Sequence, residues 1–197
     1  MSAVNNIGVV ILAAGASTRL GQPKQLLKYN GKTLLQNAID AAVNSTADPI
    51  VVVLGANADE VSQKINKSKI SVLINTAWEE GMASSVRNGL NELLFIDPST
   101  DAVIFMVCDQ PHVSADLIND LVKTQRESGK LIVTCSYGET IGPPALFHKS
   151  LFHELMQLTG DAGARKVIQQ HANAVATVLF EKGKIDIDTE ADYNALS

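Results

Sequence analysis

The chain has 197 residues, of which 46% are hydrophobic and 19% are charged. This length favours one domain, predicted over residues 1–197, and the composition supplies a packed core while excluding a disordered polyelectrolyte. Sixteen Lys and Arg against 21 Asp and Glu give a net charge of −5, which argues against nucleic acid and anionic membranes as partners.

The first predicted element is a buried strand over residues 7–13. Its apolar run resembles a signal peptide in composition, but no Lys or Arg precedes it. The run is also much shorter than the roughly 20 apolar residues of a membrane-spanning helix. Cys108 and Cys135 lie in apolar runs further along and are predicted to be buried free thiols without a disulfide. We therefore predict a cytoplasmic protein in a reducing compartment.

Short β-branched runs alternate with stretches of helical period along most of the chain. The predicted strands are residues 7–13, 50–54, 71–74, 102–107, 131–135 and 174–179. Apolar residues repeat at helical spacing in residues 34–43, 82–93 and 117–122. The strands show little alternation of apolar and polar residues, which indicates burial on both faces. The pattern predicts an α/β fold of three layers, α/β/α, around a mostly parallel sheet.

The alternation becomes less regular after residue 135. Proline lacks a backbone N–H and restricts the residue before it. Because Gly142-Pro143-Pro144 lies here, we predict a loop and a short strand over residues 138–147, beside a cleft. Near the end of the chain, Thr189 followed by Asp192 predicts the N-cap of a terminal helix.

The segment after the first strand indicates anion binding. It reads Leu12-Ala13-Ala14-Gly15-Ala16-Ser17-Thr18-Arg19-Leu20-Gly21-Gln22-Pro23-Lys24. Ligands of open α/β sheets bind beyond the carboxyl ends of strands, where small residues let backbone N–H groups approach phosphate oxygens. Arg19 and Lys24 add positive charge to this loop. Its glycine spacing fits neither a P-loop nor the three-glycine dinucleotide fingerprint, and a connector with incidental charges is the alternative.

Candidate metal ligands follow the strand over residues 102–107. Asp109 lies in an Asp-Gln-Pro turn directly after it, so its carboxylate is expected in the same cleft, where a hard oxygen suits Mg²⁺. Asp186 and Asp188 have the period-two spacing that puts both on one face of a short strand. A plain turn and a solvated edge are the alternatives for these two segments. The four histidines show no zinc-site spacing.

These segments resemble the signature of the nucleotidyltransferases that share the glycosyltransferase-A-like fold. Within that group, the chain is most similar to the molybdenum cofactor cytidylyltransferases. The resemblance implies the Rossmann-like fold of the nucleotide-diphospho-sugar transferases. The matching motifs extend along nearly the whole chain, at residues 12–24, 78–85, 109–111, 142–147, 160–165 and 186–189.

The resemblance implies a transferase that uses CTP and Mg²⁺, and it assigns site residues. The implied nucleotide contacts are Leu12, Ala13, Ala14, Gly15, Ser17, Arg19, Lys24, Gly81 and Ser85. The implied catalytic residues are Arg19, Lys24 and Asp109. The implied metal ligands are Asp109 with Asp188 or Asp186. Candidates for contact with the acceptor are Gly142, Pro144 and Arg165, although a plain surface role is the alternative for Arg165.

The implied reaction is attack by the terminal phosphate of molybdopterin on the α-phosphorus of CTP, which releases pyrophosphate. A phosphate monoester is largely dianionic at neutral pH, so the reaction needs no general base. A recipient molybdoenzyme or its chaperone is a candidate further partner. Three alternatives stay open: a cytidylyl or uridylyl transferase for another small phosphate such as a sugar or polyol phosphate, an NAD(P)-binding oxidoreductase, and a non-catalytic nucleotide-binding partner of molybdoenzymes.

Overall fold

The computed structural model describes residues 4–196, and within this range a seven-stranded sheet forms the centre of the fold. Residues 1–3 and 197 of the predicted domain lie outside the described range. The strands are β1 (Ile7–Ala13), β2 (Lys28–Tyr29), β3 (Lys32–Thr33), β4 (Ile50–Leu54), β5 (Ser71–Ile74), β6 (Ala102–Val107), β7 (Ile132–Tyr137), β8 (Thr140–His148) and β9 (Val175–Leu179). The helices are α1 (Leu34–Val43), α2 (Ala58–Gln63), α3 (Met82–Ile96), α4 (Ala115–Ser128), α5 (Phe152–Met156), α6 (Arg165–Gln170) and α7 (Glu190–Asn194).

The strand order of the large sheet is β5-β4-β1-β6-β8-β7-β9. β1 pairs in parallel with β4 and β6, β4 pairs in parallel with β5, and β7 pairs in parallel with β9. β8 is antiparallel to both of its neighbours. The predicted α/β fold with a mostly parallel sheet is therefore confirmed.

Two hydrophobic clusters cover the two faces of the sheet. One contains buried residues of α1, α2 and α4, and the other contains buried residues of α3, α5 and α6. Successive residues of β1 belong to opposite clusters, with Val9 and Ile11 in the first and Val10 in the second. Gly89 lets α3 lie close to β1, because a Cβ there would be 2.4 Å from Cγ1 of Val10. This close contact holds α3 against the middle of β1.

The prediction of a loop and a short strand over residues 138–147 is wrong, since β8 is a nine-residue strand. The register of β7 and β8 shifts between Thr134, which pairs with Ala145, and Cys135, which pairs with Gly142. The two prolines fall between these pairs. β6 pairs with β8 only from Ala145 onward. The prolines therefore lie at an irregularity where their missing N–H groups remove no hydrogen bond of the ladder.

The C-terminal segment also differs from its prediction. No strand forms at residues 185–189 of the described chain, so the predicted short strand around Asp186 and Asp188 is wrong. Instead, Ile187 is fully buried and its N–H donates to the carbonyl of Asp109 at 3.0 Å. This bond holds the segment against the end of β6. The predicted N-cap is confirmed, because Thr189 and Asp192 form a capping box that begins α7.

The two cysteines lie in the interior of the fold. Cys108 and Cys135 are buried and free, which confirms the prediction for both thiols. Among residues 4–196, every helix is too short or too polar to cross a bilayer.

Candidate active site

A cleft of about 480 Å³ lies beyond the carboxyl ends of β1 and β6. These strands are parallel neighbours, so the residues that follow them meet at one edge of the sheet. The start of α3 closes another side of the cleft. The predicted residues that line it are Leu12, Ala13, Ala14, Gly15, Lys24, Gly81, Ser85 and Asp109. Asp186, Asp188 and the acceptor candidates are not among the residues that line this cleft, and neither are Ser17 and Arg19.

A buried glutamine fixes the loop that follows β1. The side-chain amide of Gln25 donates to the carbonyl oxygens of Ala13 at 2.8 Å and Gly15 at 3.0 Å. Ser17 adopts a left-handed conformation with φ of 55°, and its Oγ accepts the N–H of Lys24 at 3.0 Å. These bonds curve the loop back on itself and direct Lys24 into the cleft.

Two acids share the ammonium group of Lys24. Its Nζ lies 2.8 Å from Oδ2 of Asp109 and 2.7 Å from Oδ1 of Asp188. Burial alone would lower the pKa of Lys24, but the charges and hydrogen bonds of the two acids raise it above its ordinary value of 10.5. Arg19, whose side chain is 68% exposed, pairs with Oδ2 of Asp188 at 2.8 Å. The hydrogen bond from Lys24, assisted by Arg19, lowers the pKa of Asp188.

Asp186 lies apart from this ion-pair cluster. Burial, followed by the charge of Asp109, raises the pKa of Asp186, and within residues 4–196 it forms no salt bridge. It lines a neighbouring hollow together with Tyr137 and Lys184. Of the two candidates for the second acid, Asp188 therefore shares the Lys24 ammonium with Asp109, whereas Asp186 lies outside this ion-pair cluster.

The position of the acids fits a divalent cation shared with phosphate. Asp109 and Asp188 converge on one point, because an oxygen of each lies within 2.8 Å of the same ammonium. Mg²⁺ is commonly bound by one or two carboxylates together with substrate phosphates and water. In the described part of the chain, no group of three or more His, Cys, Asp or Glu could hold a metal alone. A cation bound here would compete with Lys24 for both carboxylates.

Cys108 lines the same cleft but is not a candidate nucleophile. Complete burial, with a smaller effect from the charge of Asp109, raises the pKa of its thiol to about 12. The thiolate, which is the reactive form, is therefore scarce at neutral pH.

A second cavity of about 340 Å³ adjoins the cleft and shares Leu12, Met82, Val107 and Asp161 with it. Gly142 and Arg165, two of the acceptor candidates, line this cavity. Pro144, the third, does not line it, whereas its neighbour Pro143 does. Gly142 leaves room for an aromatic side chain, because a Cβ there would be 2.0 Å from the hydroxyl of Tyr137.

Several residues that line the cleft were not predicted from the sequence. Gln25, Trp78, Glu79, Met82 and Asp161 are among them. All except Gln25 lie in motifs that support the family resemblance, but nothing in their spacing indicates that residues near 80 meet residues near 160. Gly81 makes this contact possible: its φ is +113°, and a Cβ would lie 2.5 Å from Oδ1 of Asp161.

Comparison with known proteins gives a family match over most of the chain. Residues 9–175 match the family described as "MobA-like NTP transferase domain". Nicotine blue oxidoreductase of Paenarthrobacter nicotinovorans is 31% identical over 170 residues, which cover 82% of this chain and 80% of that protein. A probable molybdenum cofactor guanylyltransferase of Natranaerobius thermophilus is 25% identical over 174 residues, covering 84% of this chain and 82% of that protein.

Solved structures are similar over nearly the whole length. A homologue of Rv0371c from Mycobacterium sp. strain JC1 has 31% identity and a TM-score of 0.83, covering 96% of this chain and 94% of that one. Rv0371c from Mycobacterium tuberculosis H37Rv, solved in complex with manganese, has 27% identity and a TM-score of 0.81, covering 98% of each chain. Both comparisons support the three-layer fold described above.

Proposed function

The chain belongs to the MobA-like NTP transferase family and is a nucleotidyltransferase, and we propose that it moves CMP from CTP to the terminal phosphate of molybdopterin or molybdenum cofactor. Pyrophosphate is the second product, and residues 1–197 act as one nucleotidyltransferase domain. The observation that carries the proposal is the position of the Lys24 ammonium, 2.8 Å from Asp109 and 2.7 Å from Asp188, beside the loop after β1. Lys24 and Asp109 line the cleft, and Asp188 and Arg19 are linked to them by ion pairs.

Lys24 and Arg19 hold the triphosphate in this proposal. Both are cations next to the small-residue loop, and both neutralise charge that moves onto the leaving pyrophosphate. For this purpose Lys24 exchanges the carboxylates of Asp109 and Asp188 for phosphate oxygens. The acceptor phosphate is already dianionic near neutral pH, so the protein contributes alignment of the reacting groups instead of a general base.

Asp109 and Asp188 are the proposed ligands of Mg²⁺. Bound there, the ion would supply Lewis-acid stabilisation of the phosphate charge. The two acids converge on a single point, which is the property that a shared cation requires. The manganese complex of a protein with 27% identity and the same fold supports a divalent ion in this family.

In this proposal the cytosine and the acceptor occupy the two adjoining cavities. Ala13, Ala14 and Ser85 line the main cleft and are the proposed surroundings of the base. The adjoining cavity, lined by Gly142 and Arg165, is proposed for the acceptor, whose phosphate suits the planar fork of an arginine. The relative named as a probable molybdenum cofactor guanylyltransferase supports a pterin acceptor.

A panel of nucleotides and acceptors tests this function. With molybdenum-loaded pterin, we expect CTP to be preferred over GTP, UTP and ATP by at least about tenfold in kcat/KM, because base-specific hydrogen bonds and shape separate them. Pyrophosphate release is the measurement. Equal use of CTP and GTP would contradict the base assignment. Turnover with a sugar phosphate and none with the pterin would contradict the acceptor.

A pair of isosteric variants tests which acid acts with Asp109. Asp188→Asn is expected to lower kcat by about 10²-fold, since it removes a charge from the shared point. Asp186→Asn is expected to change kcat by less than about tenfold, because Asp186 lies outside the ion-pair cluster. The rate of pyrophosphate release at saturating CTP, measured for both variants, shows which of the two acids acts with Asp109. The reverse ranking would make Asp186 the second ligand.

The relative from Paenarthrobacter nicotinovorans favours a second candidate function, that of an oxidoreductase, because it is 31% identical over 82% of this chain. The loop after β1 lacks the three-glycine pattern of dinucleotide-binding folds. Absorbance of NADH or NADPH, followed with an added electron acceptor, tests this candidate. Sustained oxidation of the nicotinamide with no pyrophosphate release from any triphosphate would favour it over the transferase.

A further inference from the structure

A buried asparagine organises the start of α3 beside the cleft. Asn75 follows β5 directly and is 2% exposed. Its Nδ2 donates to Oγ of Ser84 at 2.8 Å and to Oγ of Ser85 at 3.0 Å. Its Oδ1 accepts the N–H of Ala77 at 3.0 Å and Nδ2 of Asn88 at 2.9 Å. Of the residues that make these four contacts, Ser85 lines the cleft and the others do not.

The orientation of the Asn75 amide follows from its contact with Ala77. A backbone N–H can only donate, so the atom facing it must be the amide oxygen. The amide nitrogen of Asn75 must then face Ser84 and Ser85, and each serine oxygen uses a lone pair to accept from it.

The two serine hydroxyls differ in where their own protons go. The hydroxyl of Ser84 donates to the carbonyl of Gly81 at 2.9 Å. In the described chain, the hydroxyl of Ser85 accepts from Asn75 and has no protein acceptor within hydrogen-bond distance. Ser85 lines the cleft and is 5% exposed. Because a buried donor without a partner is unfavourable, this proton is available to a ligand in the cleft.

We propose that Asn75 is a positioning residue for recognition of the nucleobase. It holds the hydroxyl of Ser85 as a hydrogen-bond donor toward the cleft, where it meets an acceptor atom of the base such as N3 or O2 of cytosine. This inference rests on the proposed function, in which the cleft holds the base of CTP. Asn75 itself lies behind Ser85 and acts through it.

Asn75→Asp tests the direction of the hydrogen bond with little change in shape. One carboxylate oxygen still accepts from Ala77 and Asn88, but the other can only accept. The hydroxyl of Ser85 then donates to the carboxylate and turns a lone pair toward the base. We expect the KM for CTP to rise about tenfold while kcat stays within about threefold, as for the loss of an interaction that binds the ground state and the transition state equally.

A double-variant comparison separates positioning from a general structural effect. Ser85→Ala is expected to raise the KM for CTP to the same extent as Asn75→Asp, and the double variant is expected to show no further increase. Asn88→Ala is the matched control. It removes a donor to Oδ1 of Asn75 but leaves the bond from Ala77, so its KM is expected to match the wild type.

The outcomes distinguish this inference from the proposed function. An unchanged KM in Asn75→Asp, or independent and additive effects of the two substitutions, would overturn the role of Asn75 while CTP turnover by the wild type stands. No CTP turnover by the wild type would overturn the proposed function and this role with it. If the buried carboxylate prevents folding, Asn75→Ala replaces it, with a smaller rise in KM expected and an unchanged KM as the contradicting result.

Discussion

Asp109→Ala is expected to reduce pyrophosphate release by about 10³-fold or more, the largest effect of any single substitution in the site. The carboxylate of Asp109 is one of two that converge on the Lys24 ammonium. Its removal takes away a proposed ligand for a divalent cation and leaves Lys24 held by Asp188 alone. The bond that fixes the C-terminal segment involves the carbonyl of Asp109, so the fold is expected to stay intact.

Initial rates of pyrophosphate release with CTP and the pterin acceptor measure this effect, and circular dichroism checks the fold. Asp120→Ala is the matched control, since Asp120 is an exposed acid on α4, and it is expected to keep the wild-type rate. Near-normal turnover by Asp109→Ala would remove Asp109 from the site.

Lys24→Met is expected to lower kcat by about 10²–10³-fold, because in the proposed function Lys24 neutralises charge on the triphosphate. The variant should also be less stable at pH 7, where Asp109 and Asp188 lose their shared partner. Lys24 is the main cause of the lowered pKa of Asp188. Because the folded state lowers the pKa of Asp188 from its ordinary value of 3.8, ionised Asp188 stabilises the fold at pH values above 3.8. This stabilisation is lost as the pH falls through the pKa of Asp188 in the folded state. The stability difference from the wild type should therefore narrow at acid pH.

Denaturant unfolding at pH 7 and pH 3 measures the free energy of unfolding, alongside kcat at saturating CTP. The control is Lys123→Met, because Lys123 is exposed on α4 and its loss should change neither quantity. A Lys24→Met enzyme with wild-type kcat would show that the triphosphate binds away from the loop after β1.

The strands of the parallel half of the sheet could be predicted because their apolar runs are local. Residues 7–13, 50–54, 71–74 and 102–107 have the predicted bounds. β8 could not be predicted, because its prolines are tolerated only through a register shift against β7. That shift depends on pairing between strands, and no local preference at residues 142–144 indicates it.

The candidate site could likewise be predicted only in part. Asp109 and the loop after β1 follow parallel strands that lie side by side, so their meeting follows from the alternation of elements along the chain. The choice of Asp188 over Asp186 depends on Ile187, whose buried side chain and bond to Asp109 fix the turn between them. Asp161 lines the cleft because it contacts Gly81, which lies about 80 residues earlier in the chain. No local pattern predicts this contact.

A crystal structure with bound CTP and Mn²⁺ would locate both the nucleotide and the metal of the proposed site, because anomalous scattering identifies the metal independently of the nucleotide. We expect the triphosphate along residues 13–24, manganese between the carboxylates of Asp109 and Asp188, and the Lys24 ammonium moved onto a phosphate oxygen. Manganese bound away from both acids, or a triphosphate outside the cleft beyond β1 and β6, would contradict the account.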